Sequence, residues 1–211
     1  MSFKLQSALY SRRPWVALFL CAVLSTGCAV GPLVQHETAR SVGKGDHELI
    51  AGYGQAGYVL KWNAGVTENF DFGVHWESLS FGVRGKYSII NGRSGGLSLA
   101  GAIGAGSSLG GNHHYGDLMV SYLSGFFEPY ATGRFVQVST DPVEFRNADT
   151  GQTAFTVSSA QYNYGQVIVG SRFWLGPNWM LSIEGSNFFA MGDGITISGG
   201  AFFGAGLGVR F

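Results

Sequence analysis

The last thirteen residues of the chain, Gly199 to Phe211, alternate between two kinds of side chain. Counted back from the C-terminus, every second residue is apolar, and these residues are Phe211, Val209, Leu207, Ala205, Phe203 and Ala201. The residues between them are mostly glycine, with one charge at Arg210. Because successive side chains of a β-strand point to opposite faces, the pattern predicts a strand with one apolar face and one small or polar face. This pattern is typical of a strand that separates lipid from the lumen of a barrel.

The end of this strand resembles the sorting signal of bacterial outer-membrane β-barrel proteins. The resemblance rests on the terminal Phe211 and on the apolar residues Val209 and Leu207 at alternate positions before it. It implies that the protein is located in the outer membrane of a Gram-negative cell envelope. It also implies that the barrel-assembly machinery recognises the C-terminus.

The composition of the 211-residue chain fits a membrane barrel better than a soluble domain. Charged residues make up 12% of the chain, against about 25% in soluble domains, whereas it contains 34 glycines and 14% aromatic residues. No window reaches the roughly 18 apolar residues that a transmembrane helix needs. A sheet that crosses lipid must close on itself, because an open edge would leave backbone groups unpaired. The length suffices for one such domain.

Residues 1–27 have the features of a secretory signal peptide. Three basic residues, Lys4, Arg12 and Arg13, precede an apolar stretch from Trp15 to Leu24. The segment is therefore set aside in predicting the fold of the mature protein.

The sequence L-S-T-G-C at residues 24–28 resembles a lipobox, the processing signal of bacterial lipoproteins. The resemblance implies that the lipoprotein-processing machinery cleaves before Cys28 and attaches lipid to it. Ala29, rather than an aspartate, follows the cysteine and implies an outer-membrane destination. The alternative is an ordinary signal peptide that is cut near Gly27 and leaves Cys28 unmodified.

Residues 28–45 show no alternation and contain several glycines and a proline, which predicts a periplasmic tether between the lipid and the first strand. The N-terminus is then expected to be lipid-anchored on the periplasmic side. Cys21 is lost with the signal peptide, so Cys28 has no partner for an intramolecular disulfide. The mature chain has ten basic and thirteen acidic residues, a net charge of −3, which gives no indication of a nucleic-acid partner.

Residues 46–211 alternate almost throughout and predict an all-β fold, a closed up-and-down antiparallel transmembrane β-barrel of about ten strands. If the first strand did not form, eight would be the alternative. The predicted strands are Glu48 to Tyr53, Tyr58 to Val66, Phe70 to Glu77, Phe81 to Ile89, Leu97 to Ala105, Gly116 to Ser124, Pro129 to Thr140, Tyr162 to Leu175, Trp179 to Phe189 and Gly199 to Phe211.

The connections are expected to alternate in length, because such barrels have short periplasmic turns and longer external loops. The predicted external loops are Gly106 to His114, Asp141 to Ser159 and Met191 to Thr196. The predicted periplasmic turns are Thr67 to Asn69, Gly125 to Glu128 and Gly176 to Asn178.

The inward face of the predicted strands carries charges of both signs, which are Lys61, Asp71, His75, Glu77, Arg84, Lys86, Arg134, Arg172, Glu184 and Arg210. A barrel of this size is filled by its own side chains, and charges buried there must be paired. We therefore expect a lumen filled by salt bridges. The alternative is a narrow channel for ions or small solutes.

Two further groups of residues could carry chemistry. His113, His114 and Asp117 are predicted at the rim of an external loop, but no further ligands complete a metal site, so we expect neither a metal nor a cofactor. Ser186 and Asn187 resemble part of the His-x-Ser-Asn sequence of outer-membrane lipid A deacylases. Glu184 stands where that family has its histidine base, and a serine needs such a base to attack.

The sequence thus predicts a lipid-anchored outer-membrane β-barrel with a structural or surface-interaction role and no catalysis. Its expected partners are outer-membrane lipid and, through the external loops, a molecule at the cell surface. The alternatives are a lipid-modifying enzyme similar to the deacylases, the narrow channel, and a periplasmic lipoprotein whose sheet does not enter the membrane.

Overall fold

A computed structural model describes residues 31–55, 57–108, 110–146, 153–192 and 201–211. The predicted signal peptide, the lipobox and Cys28 lie outside the described residues. The described chain contains twelve strands: β1 His47–Gly54, β2 Gly57–Gly65, β3 Phe70–Glu77, β4 Ser80–Ile90, β5 Gly96–Ser108, β6 Gly111–Leu123, β7 Phe127–Thr140, β8 Val143–Arg146, β9 Thr153–Val157, β10 Gln161–Trp174, β11 Trp179–Met191 and β12 Phe202–Arg210.

Ten of these strands form a closed antiparallel barrel in the order β1-β12-β11-β10-β7-β6-β5-β4-β3-β2. The first and last strands close it, with register from Glu48 opposite Arg210 to Gly54 opposite Gly204. Beyond the register, the backbone of His47 exchanges two hydrogen bonds with that of Phe211, at 2.7 and 2.9 Å. The prediction of a closed ten-stranded barrel is therefore confirmed, and the eight-stranded alternative is wrong because β1 forms.

The alternation of the sequence places apolar side chains on the outside of the barrel and polar side chains inside. The exposed apolar residues include Trp62, Phe72, Trp76, Phe81, Val83, Ile103, Leu118, Val167, Val169, Ile183, Phe203 and Leu207. The residues between them on the same strands are buried and largely polar or small. An apolar exterior around a polar interior is the arrangement of a transmembrane barrel.

The two ends of the barrel differ. The Phe211 end carries four turns of three to five residues, at 66–69, 91–95, 124–126 and 175–178. The opposite end, which we call the long-loop end, carries the two longest connections, residues 141–160 and 192–201, together with three two-residue turns. Within the first of these connections β8 and β9 pair as a separate two-stranded sheet.

The predicted external loop Gly106 to His114 is wrong. Both β5 and β6 continue through it, and Ser108 pairs with Gly111 across a two-residue turn. The residues of this stretch are small and polar, so the sequence shows no alternation of apolar and polar residues there. β5 and β6 have 13 residues each. About 9–11 residues suffice to cross the bilayer, so their outer ends need no apolar face. For the predicted loop Met191 to Thr196, Met191 ends β11, Gly192 begins the connection and the remainder lies outside the described residues.

The chain before β1 also differs from the expected periplasmic tether. From Gly31 to Gly43 it lies inside the barrel, where nearly every residue is buried. The absence of alternation in this stretch correctly predicted that it is not a strand of the barrel wall. A segment inside the lumen is surrounded by the wall on all sides, so it has no exposed face and needs no alternation. Among the described residues, no helix is long and apolar enough to span a membrane.

Phe211→Asp should strongly reduce the amount of folded barrel in the membrane. The change removes the terminal residue of the predicted sorting signal and the ring that stacks on His47, whose centroids are 5.7 Å apart. It also weakens the closure of the barrel, which would expose two strand edges. Heat-modifiable mobility on unboiled gels measures the folded fraction.

Phe126→Asp is the matched control, because Phe126 lies in a turn at the same end and is 66% exposed, against 63% for Phe211. An equal loss of folded barrel in both variants would contradict a special role for the C-terminus.

Candidate functional site

The lumen of the barrel is occupied by residues 31–43, which we call the lumenal segment. Its Gln35, His36, Ala39 and Ser41 have no exposed surface. The segment forms no strand and is held by side chains of the barrel wall. Its backbone polar groups therefore depend on those side chains, because a buried and unpaired N–H or C=O group is costly.

Carboxylates of the wall accept hydrogen bonds from the backbone N–H groups of the segment. Glu77 on β3 accepts from Leu33 at 2.7 Å. Glu184 on β11 accepts from Gln35 at 2.8 Å and from His36 at 2.6 Å. Because these acceptors are charged and enclosed, each contact is stronger than a hydrogen bond between neutral groups.

At the Phe211 end a third carboxylate, Asp71 on β3, accepts from Ser41 and Val42. The distances are 2.6 Å from the Ser41 hydroxyl and 3.2 Å from the Val42 N–H group. Lys86 on the neighbouring strand lies 3.0 Å from Asp71 and compensates its charge.

Cations of the wall donate to the backbone carbonyl groups of the same segment. Lys61 on β2 donates to Val34 at 2.7 Å and to Gln35 at 2.9 Å. Lys86 on β4 donates to the carbonyl groups of Thr38 at 3.2 Å and of Arg40 at 2.8 Å.

Two arginines complete this set of carbonyl contacts. Arg134 on β7 donates to Pro32 at 2.7 Å, and Arg172 on β10 donates to His36 at 3.1 Å. The polar wall thus satisfies backbone groups of the segment along its length.

The segment carries two charges of its own, and each is paired with the wall. Glu37 forms an ion pair with Arg84 and lies 3.6 Å from Lys61. Arg40 lies 2.7 Å from Glu128. All five side chains are nearly fully buried. A buried ion pair is costly to break because the remaining charge is left uncompensated.

Other wall charges pair with one another. Arg134 binds Asp117 through two nitrogens, at 2.7 and 2.9 Å. Glu48 accepts from Arg172 at 3.0 Å and from Arg210 at 2.8 Å. These pairs hold the guanidinium groups of β7 and β10 in the orientation in which they reach the segment.

The charges of the described lumen balance. The wall contributes six cations and six anions, and the segment contributes one of each. The cations are Lys61, Arg84, Lys86, Arg134, Arg172, Arg210 and Arg40, and the anions are Glu48, Asp71, Glu77, Asp117, Glu128, Glu184 and Glu37. A lumen without net charge needs no counterions.

Small inward residues provide the room for the segment. β5 and β12 are five strands apart in the ten-stranded barrel and therefore face each other across the lumen. On β12, a Cβ atom at Gly206 would lie 3.2 Å from the His36 ring. On β5, Ala100 and Ala102 pack against Ala39. The glycine face of the last strand thus accommodates the segment.

The structure places all ten sequence-predicted lumenal residues with their side chains inward, nine of them buried and Arg210 partly so. The sequence-based prediction paired them only with each other, whereas eight of them contact the segment. It missed the partners Glu37, Arg40, Glu48 and Glu128.

The predicted placement of His113 at a loop rim is wrong. His113 lies on β6 with its side chain fully buried in the lumen, while His114 faces outward and Asp117 binds Arg134. The His113 ring lies 6.3 Å from that of His75 and 6.1 Å from that of Tyr115. Within the described parts of the chain, no group of three or more His, Cys, Asp or Glu side chains is placed to hold a metal ion.

A serine, a histidine and a carboxylate do meet in the lumen, but not as a catalytic relay. The Oγ atom of Ser182 lies 3.1 Å from Nδ1 of His36, and Oε2 of Glu184 lies 3.5 Å from the same nitrogen. In a nucleophile–base–carboxylate relay the serine and the carboxylate occupy opposite ring nitrogens. The cluster is also buried, which is consistent with a role in holding the segment.

The residues that resemble a deacylase motif are likewise part of the wall. Ser186 points into the lumen and is 7% exposed, whereas Asn187 faces outward. Glu184, which takes the place of the family's histidine, is fully engaged by the backbone of the segment and by the Tyr130 hydroxyl at 2.7 Å.

Several solved structures are similar to the chain. The N-terminal β-barrel domain of OprF from Pseudomonas aeruginosa aligns at 12% identity and a TM-score of 0.39, over 79% of this chain and 96% of that chain. KdgM porin aligns at 11% identity and a TM-score of 0.39, over 79% of this chain and 99% of that chain. Neisserial surface protein A aligns at 14% identity and a TM-score of 0.30, over 78% of this chain and 92% of that chain. No protein-family model and no curated protein matches the chain. The assignment of the fold rests on the strand pairing.

Proposed function

We propose that this protein is an outer-membrane β-barrel whose lumen is closed by its own N-terminal segment, and that it acts as a structural or surface-interaction protein. The observation that carries the proposal is the hydrogen bonding of residues 31–43 by wall side chains from β2, β3, β4, β7, β10 and β11. The apolar exterior and the C-terminal Phe211 support the location, with the long loops facing outward.

The closed lumen argues against the narrow channel. A ten-stranded barrel has little free space inside, and here the central charges bind the segment or pair with one another instead of lining a water-filled path. The alternative of a deacylase is also weakened, since the side chain in the position of its base holds the segment.

The full-length protein should show no single-channel conductance in planar bilayers. A variant that lacks residues 31–43 and keeps heat-modifiable mobility should conduct, because its charged wall would then face water. Discrete conductance steps from the full-length protein would overturn the proposal and favour the channel.

We further propose that Cys28 carries the lipid that the lipobox-like sequence predicts. Cys28→Ser should abolish incorporation of a labelled fatty acid but leave the protein in the outer-membrane fraction, because the apolar exterior holds the barrel in lipid independently. Release of this variant into the periplasm as a soluble protein would favour the periplasmic lipoprotein instead.

The surface available to a partner is the long-loop end. Its largest connection, residues 141–160, contains the β8–β9 sheet, which lies outside the barrel sheet. A surface partner or glycolipid would meet this connection first.

A further inference from the structure

The lumenal segment has a direction that the sequence did not suggest. At its C-terminal end, the N–H group of Ser41 binds the side chain of Asn91, which lies in the turn between β4 and β5. Two residues after the segment, Gly45 donates to the carbonyl group of Gly65 at 2.8 Å. Both contacts lie at the Phe211 end, where the chain then enters β1.

The N-terminal end of the segment lies towards the other mouth. The N–H group of Gly31 donates to the Tyr164 hydroxyl at 3.1 Å, and a Cβ atom on Gly31 would lie 2.6 Å from Val136. Tyr164 is three residues from the start of β10 and Val136 four residues from the end of β7. Both strand ends border the connection 141–160 at the long-loop end.

Intermediate contacts follow the same order along the barrel. His36 contacts Glu184 and Ser182, which lie in the middle of β11. The segment thus runs through the lumen from the long-loop end to the Phe211 end as the chain proceeds. It does not fold back within the described residues.

We propose that the chain before Gly31 leaves the barrel through the long-loop mouth, so that Cys28 is displayed on the outer surface of the cell. β10 extends three residues beyond Tyr164 towards the long-loop mouth. At a strand tilt of about 40°, these three residues span roughly 8 Å along the barrel axis. The three residues that separate Cys28 from Gly31 span up to about 11 Å. The reach of the chain therefore matches the remaining height of the wall.

This inference rests on the proposed outer-membrane orientation and changes one expectation from the sequence. A lipid on Cys28 would enter the outer leaflet of the outer membrane, not the periplasmic leaflet. The anchor would then hold the segment from the far side of the barrel.

The test is accessibility of single cysteines to a membrane-impermeant maleimide. Cys28→Ser removes the only cysteine of the mature chain, and Val30→Cys, Thr150→Cys or Asn178→Cys is then added singly. On intact cells we expect Val30→Cys and Thr150→Cys to be labelled nearly as fully as after permeabilisation. Asn178→Cys, in a turn at the Phe211 end, should be labelled only after permeabilisation.

The outcomes separate the inference from the proposal beneath it. Labelling of Val30→Cys only after permeabilisation, with Thr150→Cys labelled on intact cells, overturns the inference alone. Protection of Thr150→Cys together with labelling of Asn178→Cys overturns the orientation. An epitope inserted between Val30 and Gly31 with Cys28 retained provides a second measurement. We expect the antibody to bind intact cells. If Val30→Cys reacts with the maleimide in neither preparation, the epitope decides, and antibody binding only to permeabilised cells overturns the inference.

Discussion

Glu37→Ala should lower the free energy of unfolding of the barrel by about 3–5 kcal/mol, the cost of removing one partner of a buried ion pair. The substitution leaves the Arg84 guanidinium, which is 4% exposed, without its ion-pair partner. It also removes a carboxylate that lies near Lys61. Unfolding by urea in lipid vesicles, followed by tryptophan fluorescence, measures the change.

A double-mutant cycle tests whether the loss comes from this pair. Adding Arg84→Ala to Glu37→Ala should cost less than the sum of the two single changes, because the pair is then removed as a unit. Glu68→Ala is the matched control, since Glu68 pairs with Arg93 at the surface, where the two side chains are 61% and 41% exposed. Such a pair contributes up to about 1 kcal/mol. If Glu37→Ala were as mild as this control, Glu37 would not be buried against Arg84.

The wall of the barrel could be predicted because its information is local. Alternation within one strand decides which side chains face lipid, and residues two positions apart suffice to show it. Strand β2 illustrates this, since Leu60 and Trp62 are exposed whereas Lys61 and Asn63 are buried, as the period requires. Closure followed from the cost of an open edge in lipid and not from any single residue.

The lumenal segment could not be predicted in the same way because it has no period of its own. Its contacts join residues far apart in sequence, such as Gln35 and Glu184, and they involve backbone groups that any residue type supplies. One signal was present. The sequence-predicted lumenal set has six lysines and arginines against only three carboxylates, Asp71, Glu77 and Glu184. Buried charges need compensation, so this excess pointed to missing anions, which the structure identifies as Glu48, Asp117, Glu128 and Glu37.

The misplacement of His113 has a different cause. Its neighbours are glycine, asparagine and a second histidine, which in a soluble protein indicate a loop. In a membrane barrel the wall continues beyond the hydrocarbon, and there the outward residue meets water. His114 and His113 therefore alternate between the outside and the lumen as in any strand.

A lumen that binds the backbone of a peptide segment differs from one that is filled only by side chains of the barrel wall. Wall side chains such as Glu184, which accepts from N–H groups, and Lys61, which donates to C=O groups, form hydrogen bonds with the backbone of the segment. These hydrogen bonds therefore do not depend on which side chains the segment carries. Identity enters where space or charge is restricted, at Ala39 against β5 and at Glu37 against Arg84. Substitutions of the segment should therefore be tolerated unevenly, with these two positions among the restricted ones.

Val83→Arg should destabilise the inserted barrel by about 2–4 kcal/mol, the cost of a basic side chain on the lipid face near the midplane of the membrane. Val83 on β4 faces outward, is 42% exposed and pairs with Val74 on β3 and Ala105 on β5. Both neighbours offer only apolar surface, so the guanidinium has no partner within the apolar band. Urea unfolding in vesicles measures the loss of stability, and the outer-membrane fraction of cells shows the loss of assembly.

Ser107→Arg is the control for this change. Ser107 also faces outward, on the neighbouring strand, but it lies one residue from the end of β5 at the long-loop end. A basic residue at that height costs about 0–1 kcal/mol, because the side chain reaches the interface. A large difference between the two variants would show that the exterior near Val83 is in contact with hydrocarbon. Equal tolerance of both changes would mean that the apolar face does not meet lipid, and the transmembrane assignment of the barrel would be wrong.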